Sequence, residues 1–140
     1  MQQQISLITL GVEDIARSLD FYRGGFGWDP VFSAPGIAFF QMNGLVFAIW
    51  GKDELAGDMQ RVAGGLGAIA LAHNVAGRDE VERCIAELVE AGGTLLRAAD
   101  EPPHGGYRGY VADPDGHAWE IAWNPAWPID AEGHVSFAAG

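Results

Sequence analysis

The residues best equipped for chemistry lie close together near the end of the chain. Asp113-Pro114-Asp115-Gly116 separates two short apolar runs, and Glu120 follows shortly after the glycine. Proline presets φ at the second position of a turn, aspartate supports the third, and glycine accepts a left-handed fourth. This tetrapeptide is therefore expected to form a type I turn with a glycine bulge. In that register Tyr110 faces Glu120 across the hairpin, and Arg108 sits diagonally on the same face. A two-residue loop would flip the parity and present Tyr107 and Gly109 instead. The proline and glycine positions favour the bulge.

Glu120 is the polar exception on its face. A strand over Ala118–Trp123 sets Ala118, Glu120 and Ala122 on one side and Trp119, Ile121 and Trp123 on the other. A carboxylate among alanines is costly unless it is paired, hydrogen-bonded or solvated in a cavity. Without a partner it would hold its proton more tightly and become a candidate general base or acid. The plainer alternative is an Arg108–Glu120 ion pair that ties two strands together. The same unevenness recurs over Gly67–Val75, where Ala68, Ala70 and Ala72 oppose Ile69, Leu71 and His73. The large side chains suit a core under helices. The alanine face leaves room, either for a pocket or for another element packed closely against it.

Two helical segments are expected to position these strands. Val12, Ile15, Leu19, Tyr22 and Phe26 make one apolar stripe, with the Tyr22 hydroxyl expected at its rim. Asp14 is the expected cap, and Gly24-Gly25 with Gly27 the stop. Val81, Cys84, Ile85, Leu88 and Val89 make the second stripe. Asp79 with Glu82 resembles a capping box, and Gly92-Gly93 ends the segment. Before the helices stand strand candidates Ile5–Leu10 and Gly67–Val75. Trp28–Phe32, Ile37–Met42 and Leu45–Trp50 follow the first helix, and Thr94–Ala98, Tyr107–Ala112 and Ala118–Trp123 the second. A βαβββ unit thus occurs twice with a period of about 60 residues. The expected class is α+β: one domain over 1–140, with modules at 5–51 and 66–124. Lys52–Gly65 reads as a polar linker, and 125–140 as a loop-like tail with room for one short strand.

Composition narrows the partners. A chain of 140 residues, 49% hydrophobic and 19% charged, suits one globular domain that folds without staples. No apolar run approaches the roughly 20 residues of a membrane span, and Met-Gln-Gln-Gln does not open a signal peptide. A cytoplasmic address and no membrane partner are expected. Cys84 is the lone cysteine, expected to be a buried small residue rather than a nucleophile. One lysine and seven scattered arginines against a net charge of −11 disfavour nucleic acid. The acidity is expected to serve solubility; the alternative is that it favours cationic ligands by long-range steering.

Several segments taken in order resemble a known family. They are Leu10-Gly11-Val12-Glu13-Asp14, Phe21-Tyr22, Gly27-Trp28, Asp113-Pro114-Asp115-Gly116-His117 and Glu120. Over residues 5–124 they resemble the vicinal-oxygen-chelate superfamily of glyoxalases, bleomycin-resistance proteins and extradiol dioxygenases. The stretch from Gly105-Gly106-Tyr107 to Trp119-Glu120-Ile121-Ala122-Trp123-Asn124-Pro125 is similar to a glyoxalase-like subgroup of largely unassigned function. The resemblance implies two tandem modules forming a curved mixed sheet around a central pocket, often completed across a homodimer. It also implies metal ligands on the first and last strand of each module, usually two His with one or two Glu. Those positions here fall at Leu7, Ala48, Ala68 and Glu120, and only the last can bind a metal. A protein-held transition metal generally takes three or four N, O or S ligands. His73 lies on the face opposite Ala68, His104 and His117 lie near turns, and His134 lies in the tail. No metal and no cofactor are therefore expected.

Other pocket positions follow from the same resemblance. Thr9 shares a face with Leu7, and Tyr110 precedes Glu120, as pocket Thr and Tyr residues do in the similar fosfomycin-resistance enzymes. Trp50 shares a face with Ala48, and Phe39 is a weaker candidate for which a core role is preferred. Trp50, Phe39 and Tyr110 could stack on a flat or cationic ligand. The candidate ligand-binding set is Thr9, Phe39, Trp50, Arg108, Tyr110 and Glu120. It suits a module that binds a small organic molecule without a metal. The alternative is a metal-independent isomerase or lyase with Glu120 as base and Tyr110 or Arg108 stabilising an enolate-like oxygen. A metal-dependent glyoxalase or dioxygenase comes third. Whether catalysis occurs is left open by the residues.

Overall fold

The computed structural model describes residues 3, 5, 7–60, 62, 65–66, 69–103 and 105–136. The first module runs β1 (Leu7–Val12), α1 (Ile15–Phe21), a π-helical turn (Tyr22–Phe26), β2 (Phe32–Ala34), β3 (Ile37–Gln41) and β4 (Val46–Gly51). A connecting helix α2 (Lys52–Met59) follows. The second module runs β5 (Ala70–Asn74), α3 (Arg78–Glu90), β6 (Thr94–Asp100), β7 (Tyr107–Ala112) and β8 (Ala118–Trp123). The fold is α+β, as expected.

The eight strands form two four-stranded mixed sheets, ordered β1-β4-β3-β2 and β5-β8-β7-β6, rather than one hydrogen-bonded sheet. In each, the first strand runs parallel to the last and the remaining pairs are antiparallel. The parallel pairs begin at Leu7↔Val46 and Ala70↔Ala118, so positions can be matched between modules. Leu10 corresponds to His73, Ala48 to Glu120, and Phe39 to Tyr110.

Alternation sends the large face inward, as the pattern requires. Phe40, Phe47 and Ile49 join Val111, Trp119 and Ile121 in one core beneath α1, the π turn and α3. Asp14 caps α1 by accepting from the Arg17 amide at 3.2 Å. The helix then widens into the π turn, because Gly24 and Gly25 pack against α3. A Cβ on Gly25 would lie 2.8 Å from Leu88 Cδ2 and 3.2 Å from Ala91 Cβ. Gly27 ends the turn with φ at 74°.

Several boundaries differ from expectation. Trp28 does not open a strand: its amide donates to the Tyr22 carbonyl and its ring stacks on Phe26 at 4.3 Å. The strand therefore starts only at Phe32. Strand β1 starts later than expected, at Leu7. Strand β5 occupies Ala70–Asn74; Gly67 and Ala68, expected to open it, lie outside the described residues. The Asp79–Glu82 capping box does not form. Helix α3 starts at Arg78 behind Gly77, Glu80 reaches back to the Ala76 amide, and Glu82 accepts from the Tyr107 hydroxyl instead.

Lys52–Met59 is a helix where a linker was expected. It lies on the small face of the first sheet: a Cβ on Gly11 would meet Lys52 Cα at 3.3 Å and Leu55 Cδ2 at 3.4 Å. The tail contributes one bridge, Ile129↔Val135. Cys84 is half-buried against the core rather than fully buried, and burial pushes its thiol up. Among the described residues, no helix is long and apolar enough to cross a membrane.

The Tyr22 hydroxyl, expected at a rim, is fully buried. It donates to Asp113 Oδ2 at 2.8 Å and accepts from Trp119 Nε1 at 3.1 Å. Burial first, then the Asp113 charge, pushes its pKa well up, so it stays a donor.

Candidate functional site

Gly116 adopts φ of 91°, its amide donates to the Asp113 carbonyl, and the Asp113 amide donates to the His117 carbonyl. This is the bulged register, and it sets Tyr110 directly opposite Glu120. Cross-strand neighbours in such a pair are close enough for long side chains to bond. The Tyr110 hydroxyl donates to Glu120 Oε2 at 2.5 Å. That hydrogen bond, then burial and the Glu120 charge, raises the Tyr110 phenol above its ordinary pKa. Glu120 is thus a half-buried side chain with one carboxyl oxygen accepting a hydrogen bond from a phenol.

The alternative of an Arg108–Glu120 ion pair is not what forms. Bulges in β6 turn Asp100 towards β7, and Asp100 bonds both Arg108 and Arg97, the latter at 2.9 Å. The Arg97 hydrogen bond is the largest cause holding the Asp100 carboxyl below its ordinary range. Arg108 nonetheless faces the same hollow as Glu120, a cavity of about 260 Å³ that also exposes Ala72, Asn74, Ala122 and Trp123. One wall is stiffened by the Arg78 guanidinium, 5.0 Å above the Tyr107 ring and 5.6 Å from that of Trp123. Asn74 and Trp123 were not among the candidate residues. Asn74 continues the Ala70, Ala72 alternation, so that signal was present in the chain.

The first-module candidates stand apart from this hollow. Thr9 lines a different cavity, about 660 Å³, with Leu55 and Met59 of α2 and with Leu66, Ile69 and His117. Phe39 is half-buried and packs on Phe32 at 5.9 Å, outside the core cluster where it was expected. Trp50 is half-buried near the end of β4. Among the described residues, Thr9 and Glu120 line separate cavities.

Among the described residues, Glu120 belongs to no group of three acidic, imidazole or thiol side chains close enough to share an ion. Of the positions that the resemblance implies, Leu7 is an exposed aliphatic, Ala48 is a buried methyl between Thr9 and Phe39, and Ala68 lies outside the described residues; the register matches Leu7 with Ala70, not Ala68. Among the described residues, Asp130, Glu132 and His134 are the acidic and imidazole groups near enough to share an ion, and all three are exposed in the tail.

Comparison with known proteins agrees with the topology. Residues 4–121 match the Glyoxalase/Bleomycin resistance protein/Dioxygenase superfamily. A crystal structure of a glyoxalase-related enzyme from Fulvimarina pelagi is 56% identical, with a TM-score of 0.95 over 99% of this chain and 100% of that one. A family enzyme from Burkholderia phytofirmans is 20% identical, with a TM-score of 0.75 over 84% of this chain and 96% of that one. A lactoylglutathione lyase from Agrobacterium tumefaciens is 19% identical, with a TM-score of 0.71 over 93% of this chain and 100% of that one. At those last two identities the likeness is one of fold. The chain belongs to the glyoxalase/bleomycin-resistance/dioxygenase superfamily, also called the vicinal-oxygen-chelate superfamily.

Proposed function

We propose that this protein binds a small organic molecule on the alanine-rich face of its second module, without a transition metal. The observation that carries the reading is the Tyr110–Glu120 pair, a hydrogen-bonded acid held at the floor of an open hollow. Glu120 would supply the counter-charge, and Trp123 an aromatic wall beside it. A hollow of about 260 Å³ is small beside the 300–1,000 Å³ usual for ligand sites. A second copy would enlarge it, in keeping with the homodimers common in the family. Exposed Leu7, Leu66 and Ile69 give that copy an apolar surface to cover. Thr9, Phe39 and Trp50 join the site only in such an assembly. The same reading keeps the protein in the cytoplasm.

A thermal-shift panel of flat neutral, cationic and anionic compounds tests the reading, because a ligand bound only by the folded state must raise Tm. Cationic aromatics should raise it, and Glu120→Gln should remove the effect. A panel with no shift in any class sinks the proposal, as does stoichiometric Ni, Zn, Mn or Fe in the purified protein. A monomer at micromolar concentration in sedimentation would remove the dimeric part.

A second reading, a metal-independent isomerase or lyase, is favoured by one observation: the 56% identical relative is described as an enzyme. Glu120 would then move a proton while Tyr110 or Arg108 stabilises the oxygen. Unchanged turnover in Glu120→Gln with any substrate found would exclude that role.

A further inference from the structure

We infer that the cleft between the two modules at His73 and Trp28 is a second ligand site, suited to a neutral, flat heteroaromatic molecule carrying N–H donors. Two hollows of about 600 and 490 Å³ share Trp28, Met42, Asn43, Ala72, His73 and Val135, so they lie side by side on the same residues. They touch the Glu120 hollow only through Ala72 and Asn74 of β5.

His73 is the first indication. It occupies the core-face position that Leu10 fills in the other module, where the leucine is 7% exposed. An imidazole at such a place normally finds a hydrogen bond. His73 finds only ring edges, Phe26 at 5.5 Å and Trp28 at 6.0 Å. Among the described residues no shut-in side-chain nitrogen or oxygen lacks a partner, so the free nitrogens of His73 open to the cleft. Burial pushes the imidazole down, which leaves it neutral with one donor and one acceptor.

The opposite wall is the second indication. Trp28, which lines both hollows just beyond the π turn, is backed by Phe26, the last residue of that turn, stacked on it at 4.3 Å. Such turns within helices recur at functional sites. The polar lining then sets the ligand class. Asn43 Nδ2 donates to the Glu132 carbonyl and Gln41 Nε2 to the Met42 carbonyl. Their amide oxygens remain as acceptors, and Asn74 adds another amide. Among the described residues neither hollow is lined by lysine or arginine, and the exposed Asp29 that lines one of them stands 3.7 Å from Arg23. Anions are therefore disfavoured, and a flat donor-bearing ring fits between the aromatic wall and the amides.

Adenine serves as the neutral donor-bearing probe, with indole and nicotinamide beside it and benzoate as the anionic control. NMR follows the His73 ring nitrogens and the Trp28 indole, assigned with His73→Leu and Trp28→Phe. A ligand of about ten heavy atoms should show a Kd on the order of 1 mM or tighter. Adenine is expected to shift both signals, benzoate neither, and His73→Leu to weaken binding about tenfold or more, the loss expected for one buried polar partner. Glu120→Gln should leave the cleft signals responding as before. The inference falls if none of the neutral probes moves the wild-type His73 signal, or if His73→Leu binds adenine equally well. It falls as an independent site if Glu120→Gln abolishes the shifts, an outcome that leaves the Glu120 proposal standing.

Discussion

The two modules share a topology but meet each other in opposite ways. The β7–β8 turn of the second module clamps onto the first. Asp115 accepts from the Glu13 amide at 2.7 Å, from Arg17 Nη2 at 3.0 Å and from Ser18 Oγ at 3.2 Å. His117 Nε2 lies 2.7 Å from the Gly11 carbonyl; a carbonyl only accepts, so Nε2 carries the proton. Asp113, 2% exposed, accepts from the Tyr22 hydroxyl and from the amides of Asp115 and His117. The matching β3–β4 turn largely bonds to itself, Met42 amide to Leu45 carbonyl, and reaches only the tail through Asn43. Space remains between that turn and β5. The Asp-Pro-Asp-Gly segment, which alone announces only a hairpin turn, thus also serves as a latch between modules. The groups free to meet a ligand stand where the second module is polar and the first is not: Glu120 for Ala48, Tyr110 for Phe39 and His73 for Leu10.

The latch gives the largest expected effect. Asp113→Ala strands a buried hydroxyl and two amides, and should lower stability by about 3 kcal/mol or more. Asn43→Ala at the matching, exposed turn should stay within about 1 kcal/mol. Urea midpoints compare the two, and equal losses would contradict the asymmetry.

Tyr22→Phe comes next. It leaves Trp119 Nε1 and Asp113 Oδ2 without their buried partner, for an expected loss of about 1–3 kcal/mol. Asp113 also writes a pH signature. Burial, its largest cause, raises the Asp113 pKa above 3.8 in the folded protein, so folding takes up a proton just above that value. The contribution is complete below the unfolded pKa and is lost as pH rises through the folded one. Asp113→Asn should flatten that part of the stability curve. A slope identical to wild type would mean that another carboxyl carries it.

His73→Leu, which makes the second module resemble the first, should be smaller still: within about 1 kcal/mol at pH 7. Its sign reverses that of Asp113. Burial holds the His73 pKa below 6.5, so the unfolded chain takes up a proton first as pH falls through 6.5. The wild type loses stability there, having held it in full above that pH, and the leucine variant does not. The two denaturation midpoints should therefore diverge on acidification. Parallel curves would mean that the imidazole is solvated.

Which parts of this were legible in the chain follows from how local their causes are. The Tyr110–Glu120 pairing follows from Pro114 and Gly116 alone, because a turn fixes the register of its own hairpin. The segments that form α1 with its π turn and α3 show their apolar stripes directly. Helix α2 does not: Lys52-Asp53-Glu54-Leu55-Ala56-Gly57-Asp58-Met59 has no continuous stripe, and Leu55 is held by contact with a distant strand at Gly11. The Arg108–Asp100 pair depends on two irregularities in β6 that no periodicity announces. The latch unites residues about a hundred positions apart, and His73 stands out only when set against Leu10.

Tyr110→Phe makes the second module match Phe39 in the first and is the smallest change. The pair is only half-buried, so losing one hydrogen bond to a charged acceptor that water can partly replace should lower stability by about 1 kcal/mol or less. Its value lies in binding. Glu120 keeps its charge but loses the neighbour that occupies one carboxylate oxygen. If the acid acts as counter-charge, a cationic probe should bind Tyr110→Phe at least as tightly as wild type, while Glu120→Gln loses it. If the phenol is itself the contact, both variants should lose the probe together. Calorimetry on the two variants separates these outcomes, and it decides whether the polar replacement that matters in the second module is the carboxylate or the ring that holds it.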